Sequence, residues 1–170
     1  GVFKNRFKDE YLTLLGLITS EGYIGKRIEI YNMDTVVLDL ISECSKTLDL
    51  NISPIYNYPS RTKIKAYYFR SKEFLNEIIN IGAGGRSGEK RVPVPIFGLP
   101  NKQVSTYLRA YYEGDGGVEE HEITATTKSK NLASDLAYLL LRFGIIARIK
   151  TRLKAATNTV AKTKRTYYRV

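Results

Sequence analysis

The sequence predicts an α/β protein of two pseudo-two-fold-related αββαββα halves, packed through one helix from each half and carrying an antiparallel sheet in each. Three observations predict it. An apolar run ending in an acid and a glycine occurs twice, as LLGLITSEG (Leu14 to Gly22) and LRAYYEGDG (Leu108 to Gly116). Behind each run, apolar residues at helical spacing alternate with apolar residues at every second position, so helices and strands alternate. Short landmarks also recur: Asp39-Leu40-Ile41 with Asp135-Leu136-Ala137, and Tyr67-Tyr68-Phe69-Arg70 with Tyr167-Tyr168-Arg169. Internal duplication of this kind implies a pseudo-two-fold axis. It divides the chain into a first half over 1–82, a connector over 83–102 and a second half over 103–170.

In chain order, Asp9 is the expected N-cap of a helix over 9–20. After Gly22 the pattern turns at Gly25 into a half-exposed strand with Ile28 and Ile30 inward. Asp34 or Thr35 starts a helix carrying Val36, Val37, Leu40, Ile41 and Leu48. Strands over 52–58 and 62–69 flank a turn at Pro59-Ser60. Alternation in the latter places Lys63, Lys65 and Tyr67 on one face and Ile64, Ala66 and Tyr68 on the other. A helix over 71–81 closes the half. The Gly- and Pro-rich stretch 82–100 reads as an ordered crossing loop. The second half repeats the order, with a helix over 103–114, a strand over 119–127, a helix over 129–143 ended by Gly144, and strands over 145–153 and 164–170. The counterpart of the helix at 71–81 is expected to be missing.

Small residues recur at i and i+4 in both acid-ended runs, Gly16 with Ser20 and Ala110 with Gly114. Such residues share one helix face and allow a second helix to approach closely. Helices crossing along those faces would bring Glu21 and Asp115 together. Two carboxylates at helix C-termini, where the macrodipole is already negative, repel each other and call for a cation between them. Hard oxygen ligands without Cys or His point to Mg²⁺ or a similar ion. Taken singly, each acid also reads as an ordinary helix-terminal residue before a turn glycine.

The two nonapeptides resemble the LAGLIDADG motifs of single-chain homing endonucleases, most of all the archaeal intein and intron enzymes. They depart from the family pattern at Thr19 and Glu21 in the first copy, and at Arg109 and Tyr111-Tyr112 in the second. The resemblance implies two sheets forming a DNA-binding saddle and a monomer that cuts both strands of a long duplex target, leaving 3′ overhangs by metal-dependent hydrolysis. It assigns Mg²⁺, with Mn²⁺ able to substitute, to the carboxylates of Glu21 and Asp115 and the carbonyls of Ser20 and Gly114. The family also carries a lysine that positions or polarises the attacking water, commonly just before a proline. Here Glu89-Lys90-Arg91-Val92-Pro93 points to Lys90, for which a phosphate contact is the equal alternative. A relative without cleavage, acting as an RNA splicing maturase or a plain DNA-binding module, is the other reading of the whole chain.

Charge fits a nucleic-acid partner. The 170 residues hold 27 Lys and Arg against 17 Asp and Glu, a formal net charge of +10, which favours a polyanion. From Arg148 to the last residue there are 8 basic residues and no acid. The expected DNA-facing residues are Arg27, Glu29, Arg61, Lys63, Lys65 and Tyr67 in the first half. In the second they are Thr124, Thr126, Lys128, Arg148, Lys150, Arg152, Lys154, Lys164 and Arg165. Alternate long polar side chains on a two-stranded ribbon can reach base edges in the major groove. A basic arm at Lys4, Arg6 and Lys8 is a further phosphate contact or a frayed terminus. Asp39, Glu43, Glu73, Glu77 and Asp135 fall on helices, giving the expectation that the helical and sheet faces differ in sign. One cysteine excludes an internal disulfide and a lone histidine, His121, expected on a strand, excludes a zinc site. GAGGRSG lacks the ending of a phosphate-binding loop. No signal peptide or membrane span is seen, so the expectation is an intracellular protein.

Overall fold

The structure, a computed structural model, describes residues 8–119, 121–155 and 164–170. Lys4 and Arg6 of the basic arm lie outside them. The first half runs α1 (Asp9–Glu21), β1 (Gly22–Ile24), β2 (Ile28–Tyr31), α2 (Thr35–Thr47), β3 (Ile52–Tyr56), β4 (Ile64–Phe69) and α3 (Lys72–Asn80). The second runs α4 (Asn101–Asp115), β5 (Gly116–Glu119), β6 (Glu122–Thr127), α5 (Lys130–Leu141), β7 (Lys150–Ala155) and β8 (Lys164–Arg169). Both sheets have four antiparallel strands, ordered β1-β2-β4-β3 and β5-β6-β8-β7. The same order in each confirms the duplication.

Helix α1 is the centre of the molecule. Tyr11, Leu12, Leu14, Leu15, Leu17 and Ile18 are all buried, as expected of a helix that is apolar almost all round. It packs against α4, whose buried residues are Val104, Tyr107, Leu108, Ala110 and Tyr111. Local chemistry sets most helix starts. The Asp34 carboxylate accepts from Val36 N at 2.9 Å at the head of α2, Ser71 Oγ accepts from Phe74 N at 3.0 Å for α3, and Ser129 Oγ accepts from Leu132 N at 3.2 Å for α5. For α1 the cap position is Lys8, without a side-chain bond, and Asp9 lies in the first turn instead. There its charge complements the helix dipole.

Both motif helices turn straight into a strand at a glycine. A Cβ at Gly22 would stand 2.2 Å from Ile18 O, and one at Gly116 would stand 2.0 Å from Tyr112 O. Only glycine permits that bend. It also explains why the single strand expected over 119–127 is a hairpin. β5 starts at Gly116, on residues of low strand propensity, and His121 sits in the turn to β6. The strand expected from Ile145 begins only at Lys150, because Gly144, at φ +76°, ends the helical segment and residues 145–149 leave it without sheet partners. The connector contributes core as well as linkage, with Val92, Ile96 and Leu99 buried around a 3₁₀ turn at Val94–Gly98.

Two helical acids expected to face solvent are instead buried. Glu77 of α3 is 3% exposed and its Oε1 accepts from Tyr11 Oη at 3.0 Å. Asp135 of α5 is 7% exposed and is engaged by the connector. Among the described residues no helix is long and apolar enough to cross a membrane.

Candidate active site

The site starts from how closely α1 and α4 approach. A Cβ on Gly16 would lie 2.5 Å from Tyr107 O and 2.8 Å from the Ala110 Cβ, so Gly16 and Ala110 face each other at the crossing. One turn on, a Cβ on Gly114 would lie 2.3 Å from Ser20 Oγ and 3.1 Å from Glu21 Cγ. The last turns of both helices therefore touch, and Glu21 and Asp115 end them side by side.

That neighbourhood perturbs three charges together. Burial, and then the Asp115 charge, push the Glu21 carboxyl up from 4.5 to about 7, with Lys90 opposing. Asp115 is also raised by burial, against the pull of Lys90. Burial holds the Lys90 ammonium below its ordinary range, while Asp115 and Glu21 draw it back up. Its Nζ donates to Thr19 O and Ser20 O, both at 2.9 Å, satisfying carbonyls at the negative end of α1. Part of the cation required by two adjacent carboxylates is thus supplied by the protein itself.

The donor set still suits a hard dication. Among the described residues there is no cluster of three or more His, Cys, Asp or Glu. Two carboxylates with room for waters and a phosphate oxygen are nevertheless the usual Mg²⁺ arrangement. The Ser20 carbonyl already accepts the Lys90 ammonium, which leaves it one lone pair for a further partner. Gly114 is the point of close helix contact at this end.

Lys90 is placed by a network that sequence reading missed. Arg91 donates from Nε and Nη2 to the two Asp135 carboxylate oxygens at 3.0 and 2.8 Å, and Val92 N donates to the same carboxylate at 3.2 Å. Ser129 Oγ donates to Lys90 O at 2.6 Å. The Asp39–Asp135 repeat was visible in the sequence, but not that Asp39 would be exposed and Asp135 buried.

On the first sheet, Arg27 is pinned on the outer face. Its Nε donates to Glu29 Oε1 at 2.7 Å, its guanidinium lies 3.8 Å from the Tyr68 ring centroid, and the Tyr31 hydroxyl donates to the other Glu29 oxygen. Register corrects the sequence here. Glu29 is opposite Tyr68 and buried Ile30 opposite Tyr67, and side chains directly opposite share a face. Tyr67 is therefore in phase with the core side, away from Arg27 and Glu29, whereas Lys65 falls at the register shift between the Ile55 and Tyr56 pairings and its charge reaches Glu29. Phe69 imposes this phase, since it is buried against Phe74 on that same side. Arg61, at φ 51°, and Lys63 lie exposed in the approach to β4.

On the second sheet Thr126 is opposite Arg169, and Lys150, Arg152 and Lys154 are opposite Arg169, Tyr167 and Arg165. Thr124 and Thr126 share this outer phase, while Ala125 and Thr127 are buried. Tyr167 therefore faces outward where Tyr67 faces inward, so the two Tyr-Tyr steps are not equivalent positions. Lys128 holds its ammonium 5.6 Å from the Tyr167 ring centroid. Glu122 takes Lys150 Nζ at 3.3 Å and Arg169 Nη2 at 3.5 Å. Arg148 precedes β7, outside the ladder, and Lys164 pairs with Ala155 at the sheet's other end.

Two halves of identical strand order, joined through helices whose terminal carboxylates meet, define a two-motif LAGLIDADG architecture. Residues 102–170 match the model of the LAGLIDADG-like domain family. The chain is 31% identical over 158 residues to the replication factor C small subunit of Methanocaldococcus jannaschii, spanning 91% of this chain and 8% of that protein. It is 31% identical over 146 residues to the DNA-directed RNA polymerase subunit Rpo1C of the same organism, spanning 82% of this chain and 16% of that protein. It thus covers a small fraction of the curated relatives it matches. Among solved structures, I-DmoI in complex with DNA and Mn superposes with a TM-score of 0.61 at 13% identity, over 95% of this chain and 87% of that one. The N-terminal LAGLIDADG domain of WhiA superposes with a TM-score of 0.58 at 16% identity, over 94% and 74%. The second half matches the LAGLIDADG-like domain family, and the whole chain has the single-chain, two-motif LAGLIDADG fold.

Proposed function

We propose that this chain is a site-specific double-strand DNA endonuclease of the homing type, divided at 1–82, 83–102 and 103–170 and acting as an intracellular monomer. The observation that carries the reading is the pair of carboxylates, Glu21 and Asp115, raised by burial at the touching ends of α1 and α4. A pseudo-two-fold protein matches a duplex, whose scissile phosphates are related by a similar axis. Glu21 and Asp115 would hold divalent cation, Mg²⁺ with Mn²⁺ able to substitute, which would supply activation of water and neutralisation of the leaving oxygen. Lys90 spends two N–H donors on Thr19 and Ser20 carbonyls and keeps the third for a water or a phosphate oxygen. On the outer sheet faces, Arg27, Glu29, Thr124, Thr126, Lys150, Arg152 and Arg165 would meet base edges and backbone. Arg61, Lys63, Lys65, Lys128, Arg148, Lys154 and Lys164 would add phosphate contacts, and Tyr67 supports the sheet from the core side. Similarity to short segments of two differently named proteins fits a module inserted into unrelated hosts, as inteins are.

One observation favours a second reading. The Lys90 ammonium already compensates the acid pair, which would stabilise a relative that no longer cuts and serves as a maturase or DNA-binding module. Incubation with plasmids carrying the uninterrupted host allele, in Mg²⁺ and then in Ca²⁺, separates the two. The parent linearises the plasmid in Mg²⁺ and leaves 3′ overhangs, while Asp115→Asn binds equally well and never cuts. A parent that binds this DNA without cutting it in Mg²⁺ or Mn²⁺ sinks the nuclease reading.

A further inference from the structure

Lys90 reaches the acids on a flexible four-carbon stem, which by itself orients nothing. What fixes it is the backbone beneath, held at three consecutive residues by the second half. Ser129, the N-cap of α5, donates to Lys90 O at 2.6 Å, Arg91 forms a two-bond fork with Asp135, and Val92 N donates to the same carboxylate. Val92 itself is buried in the core. The ammonium at the other end bonds α1, in the first half. The strap therefore crosses the molecule, with its anchor on α5 and its tip at the junction of α1 and α4.

We propose that Asp135 is a positioning residue for the reaction centre: by clamping Arg91 and Val92, it sets where Lys90 delivers its ammonium beside Glu21 and Asp115. A bidentate carboxylate–guanidinium pair is directional as well as strong, and both Asp135 oxygens are used. The role belongs to one half only. Asp39, its partner in the sequence repeat, is exposed on α2, so the duplicated aspartate has been recruited once. Asp135 bonds the connector rather than the acids, so its influence on them passes through Arg91, Val92 and Lys90.

The inference takes its meaning for catalysis from the nuclease reading, but the strap can be tested without it. The folded parent, Asp135→Asn and Arg91→Ala are pulse-labelled with acetic anhydride, and acetylation of Lys90 is measured by peptide mass spectrometry relative to exposed Lys46 on α2. The Arg91 side chain is 57% exposed, so its truncation keeps the fold even if the aspartate variant does not. Loss of charge-assisted hydrogen bonds of this kind should raise Lys90 labelling roughly tenfold in either variant. Single-turnover cleavage should slow by a similar factor while DNA affinity changes less than about twofold. Lys90 remaining as protected as in the parent, in whichever variant folds, overturns the proposal. Faster labelling in a protein whose parent never cuts DNA would uphold the strap and reject the nuclease reading instead.

Discussion

Gly16→Ala tests the helix contact on which the site depends. The added Cβ would sit 2.5 Å from Tyr107 O and 2.9 Å from Tyr111 N, both backbone atoms that no side-chain rotation can move. Relief to ordinary contact requires α1 and α4 to part by about 1 Å, and because both obstacles are backbone the cost is roughly 2–3 kcal/mol, the upper end for overpacking. Alanine returns about 1 kcal/mol through helix propensity, leaving a net loss of about 1–2 kcal/mol. For a chain of this size that lowers Tm by roughly 2–8 °C. Gly88→Ala is the control, since a Cβ there meets nothing within 4 Å and should shift stability by no more than about 0.5 kcal/mol. Urea unfolding followed by circular dichroism measures both. The separation also moves Glu21 from Asp115, so cleavage should fall further than stability alone explains. A Gly16→Ala protein as stable as Gly88→Ala would refute the close crossing and with it the geometry of the acid pair.

Stability should also report the strained carboxylates. The Glu21 carboxyl sits at about 7 when folded against an ordinary 4.5, so the folded state binds its proton more tightly and stability falls as pH rises through that interval. Glu21→Gln should lose this decline and melt above the parent at pH 8 in chelator, while added Mg²⁺ should raise the parent's Tm and leave Glu21→Gln nearly unchanged. Thermal scans from pH 5 to 8 check both, and parallel parent and variant profiles would count against a buried acid pair. Tyr11→Phe removes the hydroxyl that donates to buried Glu77 at 3.0 Å and should cost about 1–3 kcal/mol. In a double-mutant cycle, Glu77→Leu in the Tyr11→Phe background should recover part of that loss. On the DNA side, Arg152→Ala, on the exposed outer face, should flatten the salt dependence of binding by about one counterion.

Local chemistry made much of this protein readable from its residues. The apolar run of α1, the small residues Gly16 and Gly114, the acid-glycine endings and the capping residues Asp34, Ser71 and Ser129 each act over a few positions. Their consequences follow from spacing and type alone, and so do the duplicated halves. Strand phase was another matter. Alternation in Lys63 to Phe69 allows either face to point inward, the Tyr67-Tyr68 pair does not break the tie, and only pairing of Ile30 with Tyr67 and packing of Phe69 on Phe74 resolve it. The same holds for the acids of α3 and α5. Glu77 and Asp135 look like surface residues until a tyrosine 66 positions away and an arginine 44 positions away are seen to pair with them. Short-range preferences can be read along a chain because their partners are neighbours in it; sheet register and the burial of Glu77 depend on partners far off in the same half, and the burial of Asp135 and the placement of Lys90 on partners that meet only when the two halves close on each other.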